Sequence, residues 1–150
     1  MTLLEIKQKI KHAVRRAPDG DAALEALAAL LQNDVPHYTG VYIYMLEPGD
    51  QTLQLTHFAG RPTEHTRIPI DRGVCGAAVR AAATVVVPDV AADARYLACS
   101  LETKSEIVVP IIQHGKVRGE IDIDSDEVDP FTAADTELLE FAAGAVADKL

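Results

Sequence analysis

Two alternating runs, 106–112 and 116–124, flank His114-Gly115 and constrain the fold more than any other part of the chain. Successive side chains on a strand point to opposite faces, so Ile121 and Ile123 share one face while Glu120, Asp122 and Asp124 share the other. The His-Gly pair supplies a tight turn, which makes the two runs neighbours in an antiparallel hairpin. With the turn there, Glu106 falls within a residue or two of Asp122 to Asp124. One face of the hairpin is therefore apolar and the other carries a concentration of acid.

The rest of the chain supplies the layers around this hairpin. Leu3, Ile6, Ile10 and Val14 recur at helical spacing against the basic residues Lys7, Lys9, Lys11, Arg15 and Arg16, which predicts an amphipathic helix over 2–16. Pro18-Asp19-Gly20-Asp21 breaks it, and Asp19 or Asp21 caps a second helix carrying Leu24, Leu27, Leu30 and Leu31 that ends near Asn33. Aromatic and β-branched residues over 38–46, the turn signal Pro48-Gly49-Asp50 and alternation over 51–59 predict a first hairpin. Residues 67–70 form a short extended piece, 74–82 a small-residue helix, 84–87 a short buried strand and 89–99 a loop or broken helix. Thr132-Ala133-Ala134-Asp135 has the form of a capping box, opening a terminal helix with Leu138, Leu139, Phe141, Ala142 and Val146. This order predicts one α+β domain over 1–150, an antiparallel sheet with the terminal helices on one face and loops plus the short helix over the other.

Composition narrows the function classes. Hydrophobic residues at 48% and charged residues at 25% of 150 describe a globular chain rather than a disordered one. A formal charge of −9 argues against nucleic acid as a partner, since that affinity rests on clustered Lys and Arg. Charges interrupt the apolar residues at the N-terminus and no run reaches membrane-spanning length, so a soluble cytoplasmic protein with no membrane association is expected. None of the five histidines is spaced as a metal ligand pair, and no metal or bound cofactor is expected. The leucine- and isoleucine-rich terminal helices are the expected surface for a two-fold homodimer.

Chemistry concentrates between residues 73 and 125, where both cysteines and most of the sheet acids lie. Like charges crowded on one patch cannot all ionise cheaply, so Glu106, Asp122 and Asp124 form either an exposed acidic face or a site in which one acid is kept protonated. Cys75 falls in the first turn of the short helix, where the dipole favours a thiolate, although free cysteine is also a common small core residue. Cys99, between Ala98 and Ser100, sits in a loop. In the cytoplasm such a pair is reduced or a transient redox couple.

Taken together, Arg67-Ile68-Pro69, Gly73-Val74-Cys75-Gly76, a second cysteine 24 residues later at Cys99, Glu106 seven residues after that within Ser-Glu-Ile-Val-Val-Pro, and Ile121-Asp122-Ile123-Asp124-Ser125 resemble the free methionine-(R)-sulfoxide reductases, which are stand-alone GAF domains. The resemblance implies reduction of free methionine-(R)-sulfoxide through a cysteine sulfenic acid. It assigns Cys99 as the nucleophile and Cys75 as a second pocket cysteine able to resolve it as a disulfide, re-reduced by thioredoxin at the expense of NADPH. Glu106, Asp122 and Asp124 match the acids that hold the substrate ammonium and protonate the sulfoxide oxygen, and Tyr42 matches an aromatic wall. Two positions depart from the family pattern: His65 stands where many members carry a third cysteine, and Tyr38 stands where the family has a tryptophan wall. A GAF module that binds a small ligand without catalysis, or one whose cysteines sense oxidant, is the alternative reading.

Overall fold

The computed structural model of the protein describes residues 1–96 and 102–150. Helix α1, Leu3–Arg16, opens on a capping box between Thr2 and Glu5 and buries Ile6, Ile10 and Val14. Helix α2, Gly20–Asp34, is capped by the Asp19 side chain on the Ala22 amide and buries Leu24, Leu27 and Leu31. Strands β1 (Gly40–Leu46) and β2 (Thr52–Gly60) follow, then β3 (Arg67–Pro69), helix α3 (Gly73–Ala81), β4 (Val85–Val87), a 3-10 turn over Val90–Ala92, β5 (Ser105–Gln113), β6 (Lys116–Ser125) and helix α4 (Ala133–Ala147).

The six strands form one antiparallel sheet in the order β3-β2-β1-β6-β5-β4. Pairing of β1 with β6 joins the first hairpin to the second and puts the acid-bearing strand at the sheet's centre. The turn between β5 and β6 has two residues, with Gln113 opposite Lys116 and with φ of 51° at His114 and 75° at Gly115, so both adopt the left-handed conformation such a turn requires. The short extended piece expected over 67–70 is strand β3, which pairs with Thr52–Gln54 at one edge of the sheet.

Alternation separates two cores. Val41 and Ile43 of β1, Ile107, Val109 and Ile111 of β5, and Ile121 and Ile123 of β6 face α1, α2 and α4 and form the larger core. Each fully buried aliphatic side chain there contributes about 1.5–3 kcal/mol. The opposite parity, Tyr42, Tyr44 and Val108, packs with Leu53, Ile68, Val74, Cys75 and Ala78 beneath α3. The expected terminal-helix layer and covering short helix are both present. Among the described residues no helix is long and apolar enough to cross a membrane.

Candidate functional site

Three elements converge under α3. Strand β6 directs Glu120, Asp122 and Asp124 to that face, and the register sets Glu106 of β5 opposite Asp124 and Val108 opposite Asp122. At Gly76 an added Cβ would sit 2.5 Å from the Ile70 carbonyl oxygen, so the segment leading into α3 folds tightly against the helix. Cys75, the third residue of the helix, faces the acids, and its thiol donates to Asp122 Oδ2 at 3.4 Å.

The acidic face is covered, not solvated. Glu106, Glu120, Asp122 and Asp124 are all buried, with Glu120 at 0% exposure. Asp122 Oδ1 and both carboxyl oxygens of Glu120 have no hydrogen-bond partner among the described residues. Burial pushes the Glu106 carboxyl well above the usual range, with the neighbouring Asp122 reinforcing it. Burial likewise raises Glu120, opposed by the nearby Cys75 thiol and reinforced by Glu106. Asp122 is raised by burial, with its hydrogen bond to Glu106 working against the rise and the acids at 124 and 120 adding to it. Cys75 is pushed up by burial first and then by the charges at Asp122, Glu120 and Glu106. The thiolate expected at the helix start is therefore not favoured. Desolvation and three acids outweigh the dipole of a nine-residue helix.

Above the acids lies a cavity of about 20 Å³, room for a water molecule, bordered by Tyr42, Tyr44, His65, Cys75, Glu106 and Asp122. Tyr42 donates its hydroxyl to the Arg61 carbonyl at 2.6 Å, and Tyr44 donates to the His65 carbonyl at 2.6 Å, so both rings stand as fixed walls. The donor atoms of Cys75, Glu106 and Asp122 lie within 4.8 Å of one another, close enough to hold a metal ion. A thiol and carboxyls kept protonated are poor ligands, and this setting favours proton chemistry over metal binding.

The family model of the GAF domain matches residues 19–150. The chain is 36% identical over 118 residues to the free methionine-R-sulfoxide reductase of Escherichia coli, an alignment covering 79% of this chain and 70% of that protein. It belongs to the free methionine-R-sulfoxide reductase family of GAF domains. The domain is also 41% identical over 105 residues to the yeast (Saccharomyces cerevisiae) protein of that name, covering 69% of this chain and 57% of the relative. Its fold matches the X-ray structure of the free methionine-R-sulfoxide reductase from Neisseria meningitidis in complex with its substrate, with a TM-score of 0.92 and 34% identity over 98% of this chain and 87% of that one.

Against this family pattern, the structure brings Cys75, Glu106, Asp122 and Tyr42 to one cavity, with Asp124 buried beside them in the same strand face. Cys99 lies outside the described residues. Tyr38 is not a wall of this cavity. It precedes β1, and a turn that bonds its amide to the Val35 carbonyl breaks the alternation that would have put it beside Tyr42. Its ring instead joins the larger core, where its hydroxyl donates to Asp135 Oδ1 at 2.7 Å, next to His37 and the α4 cap.

One feature of the site was not singled out from sequence. Tyr44 shares Tyr42's parity on β1, so the alternation rule alone would have found it. His65, noted above as a departure from the family's third cysteine, lies in residues 61–66 outside regular structure, and the fold brings it to the cavity.

Proposed function

We propose that this GAF domain reduces free methionine-(R)-sulfoxide to methionine, with Cys99 as the nucleophile. The observation that carries the reading is the set of buried acids, Glu106 and Asp122 among them, lining one cavity with the Cys75 thiol, their carboxyls pushed up by burial. A neutral carboxyl among Glu106 and Asp122 donates a proton to the sulfoxide oxygen as the Cys99 sulfur attacks the sulfoxide sulfur. The S–O bond transfers its oxygen to Cys99 as a sulfenic acid, and methionine leaves with its sulfur reduced. The ammonium of the substrate supplies the positive charge that lets a further acid ionise, so the cluster recognises the amine as well as protonating the oxygen. Tyr42 and Tyr44 flank the methyl-bearing end.

Cys75 then attacks the Cys99 sulfenic acid to give a disulfide and water, and thioredoxin reduces the disulfide with electrons from NADPH. A water-sized cavity opens to an amino acid only if its border gives way. The described border outside helix and strand is the segment carrying Thr63 and His65.

The test is a coupled assay with thioredoxin, thioredoxin reductase and NADPH. Free methionine-(R)-sulfoxide is expected to drive continuous NADPH consumption, with the Cys99→Ser variant inactive. Oxidation that stops after one equivalent per protein would make the domain a sensor and overturn the reading.

A further inference from the structure

An amino acid brings a carboxylate as well as an ammonium, and a site made of acids repels the carboxylate. Among the described residues lining the cavity there is no lysine or arginine. Of the described lysines and arginines, Arg95 is the one whose charge reaches the acids Glu106, Glu120 and Asp122, and the acid it reaches is Glu106.

The turn that carries Arg95 is tied to the acid-bearing end of the hairpin. Val87 of β4 pairs opposite Glu106, and just after it the Val90 amide donates to the Lys104 carbonyl at 2.9 Å. The Lys104 amide donates in turn to the Ser125 carbonyl at 2.8 Å, next to Asp124. Val90 also packs against the core cluster that contains Cys75 and Tyr42. The 3-10 turn closes with the Asp93 amide on the Val90 carbonyl at 3.2 Å, so Asp93 and Arg95 follow directly from a segment fixed against the start of β5.

Asp93 holds Arg95 by one edge. Its carboxylate accepts the Arg95 backbone amide at 2.8 Å, then Nε at 3.0 Å and Nη2 at 2.7 Å. A guanidinium carries five N–H donors in a planar fork, so this side-on pair leaves the Nη1–Nη2 edge, whose geometry suits a second carboxylate. The Asp93 side chain is 18% exposed and that of Arg95 47%, so the pair is anchored at its acid and open at its guanidinium. The electrostatics agree with this placement. Burial dominates the raised Glu106 carboxyl and Asp122 adds to it, while Asp93 and Arg95 act on it in opposite directions.

We propose that Arg95 is a specificity-determining residue that binds the α-carboxylate of the substrate while Glu106 takes the ammonium. The two groups of an α-amino acid sit on one carbon, so their receptors must be neighbours, separated by little more than two hydrogen bonds. A guanidinium beside Glu106 meets that demand.

This inference rests on the domain reducing the free amino acid, and the experiment keeps the two apart. Turnover is measured with the (R)-sulfoxides of methionine and of methioninamide, which keeps the ammonium and replaces the carboxylate with a neutral amide. Arg95→Gln alters a half-exposed turn residue and is expected to fold. It is expected to raise KM for the acid about ten- to a hundredfold, the size of a charged hydrogen-bonded pair, with kcat little changed and KM for the amide unmoved. Arg95→Lys keeps the charge without the fork and is expected to fall between. Calorimetric titration with methionine and with methioninamide repeats the comparison without turnover, and Arg95→Gln is expected to weaken methionine alone. A wild type that reduces neither sulfoxide overturns the substrate reading and this proposal with it. A wild type active on the acid, with KM and methionine affinity unchanged in a folded Arg95→Gln protein or with equal losses on acid and amide, overturns the Arg95 assignment and leaves the reductase standing.

Discussion

Replacing Glu120 with leucine removes the carboxyl that the fold covers most completely. Glu120 is 0% exposed, and neither of its oxygens has a hydrogen-bond partner among the described residues. Two terms set the size of the effect. An unpartnered buried polar group costs about 1–3 kcal/mol even when neutral, and leucine of similar volume does not carry that penalty. The second term depends on pH. The Glu120 carboxyl is held well above its ordinary value of 4.5 in the fold, so above that value the unfolded chain releases a proton that the folded chain keeps.

The sign follows from that difference. A raised carboxyl favours the folded state least at high pH, so its stabilising share is lost as pH rises from the unfolded value towards the folded one. For as long as Glu120 stays protonated, each unit costs about 1.4 kcal/mol. Between pH 5 and pH 7 the advantage of Glu120→Leu is therefore expected to grow by up to about 3 kcal/mol, a large share of a net stability of about 5–15 kcal/mol. Urea unfolding followed by circular dichroism at pH 5, 6 and 7 measures it directly. A leucine variant less stable than wild type throughout, or an advantage that is flat with pH, would refute the view that this carboxyl is buried, unpartnered and neutral.

Three further outcomes follow from the same geometry. In a Cys99→Ser background, Cys75 is expected to react with iodoacetamide at pH 7 more slowly than a free cysteine, with its rate still climbing at pH values where an exposed thiol has levelled off, because burial and three acids raise it. Tyr38→Phe is expected to cost about 1–2 kcal/mol in thermal unfolding and to leave KM for the sulfoxide unchanged, since its hydroxyl serves Asp135 at the α4 cap; a raised KM with unchanged stability would return Tyr38 to the substrate. Gly40→Ala would bring a Cβ to 2.3 Å from the Tyr42 hydroxyl oxygen, so the ring must leave its bond to the Arg61 carbonyl; KM is expected to rise several-fold while Cys99 oxidation by peroxide is unaffected.

The face each strand residue takes was legible, and what covers that face was not. Period-two alternation placed Asp122 and Asp124 on the face opposite Ile121 and Ile123, and the turn at His114-Gly115 brought Glu106 within a residue or two of them; the register shift between Ile111 and Ile112, which carries no sequence signal, is what sets Glu106 opposite Asp124. Alternation reports only the side of a sheet. Whether an acidic side meets water depends on α3 and the 61–66 segment, which lie earlier in the chain and are brought to the acids by the β1 to β6 and β4 to β5 pairings. That is why the sequence leaves an exposed acidic face open, whereas in the fold Cys75 of α3 sits on Asp122 and the acids are buried. Tyr38, put at a pocket wall by the resemblance alone, lies in the larger core instead, because the Val35 to Tyr38 turn precedes β1.

The two readings of Cys75, a thiolate at a helix start or a small buried residue, are decided by magnitude. Position in a helix's first turn was read correctly, and the dipole there is real. Its effect is about 0.3–1 kcal/mol at an exposed terminus, less than one pKa unit, while full burial moves a titrating group by several units. Burial therefore decides the charge of Cys75, and it does so in the same direction for Glu106, Glu120 and Asp122. A cluster built this way is rich in protons and short of acceptors. Such a cluster is suited to giving a proton to a bound oxygen rather than to taking one from a thiol.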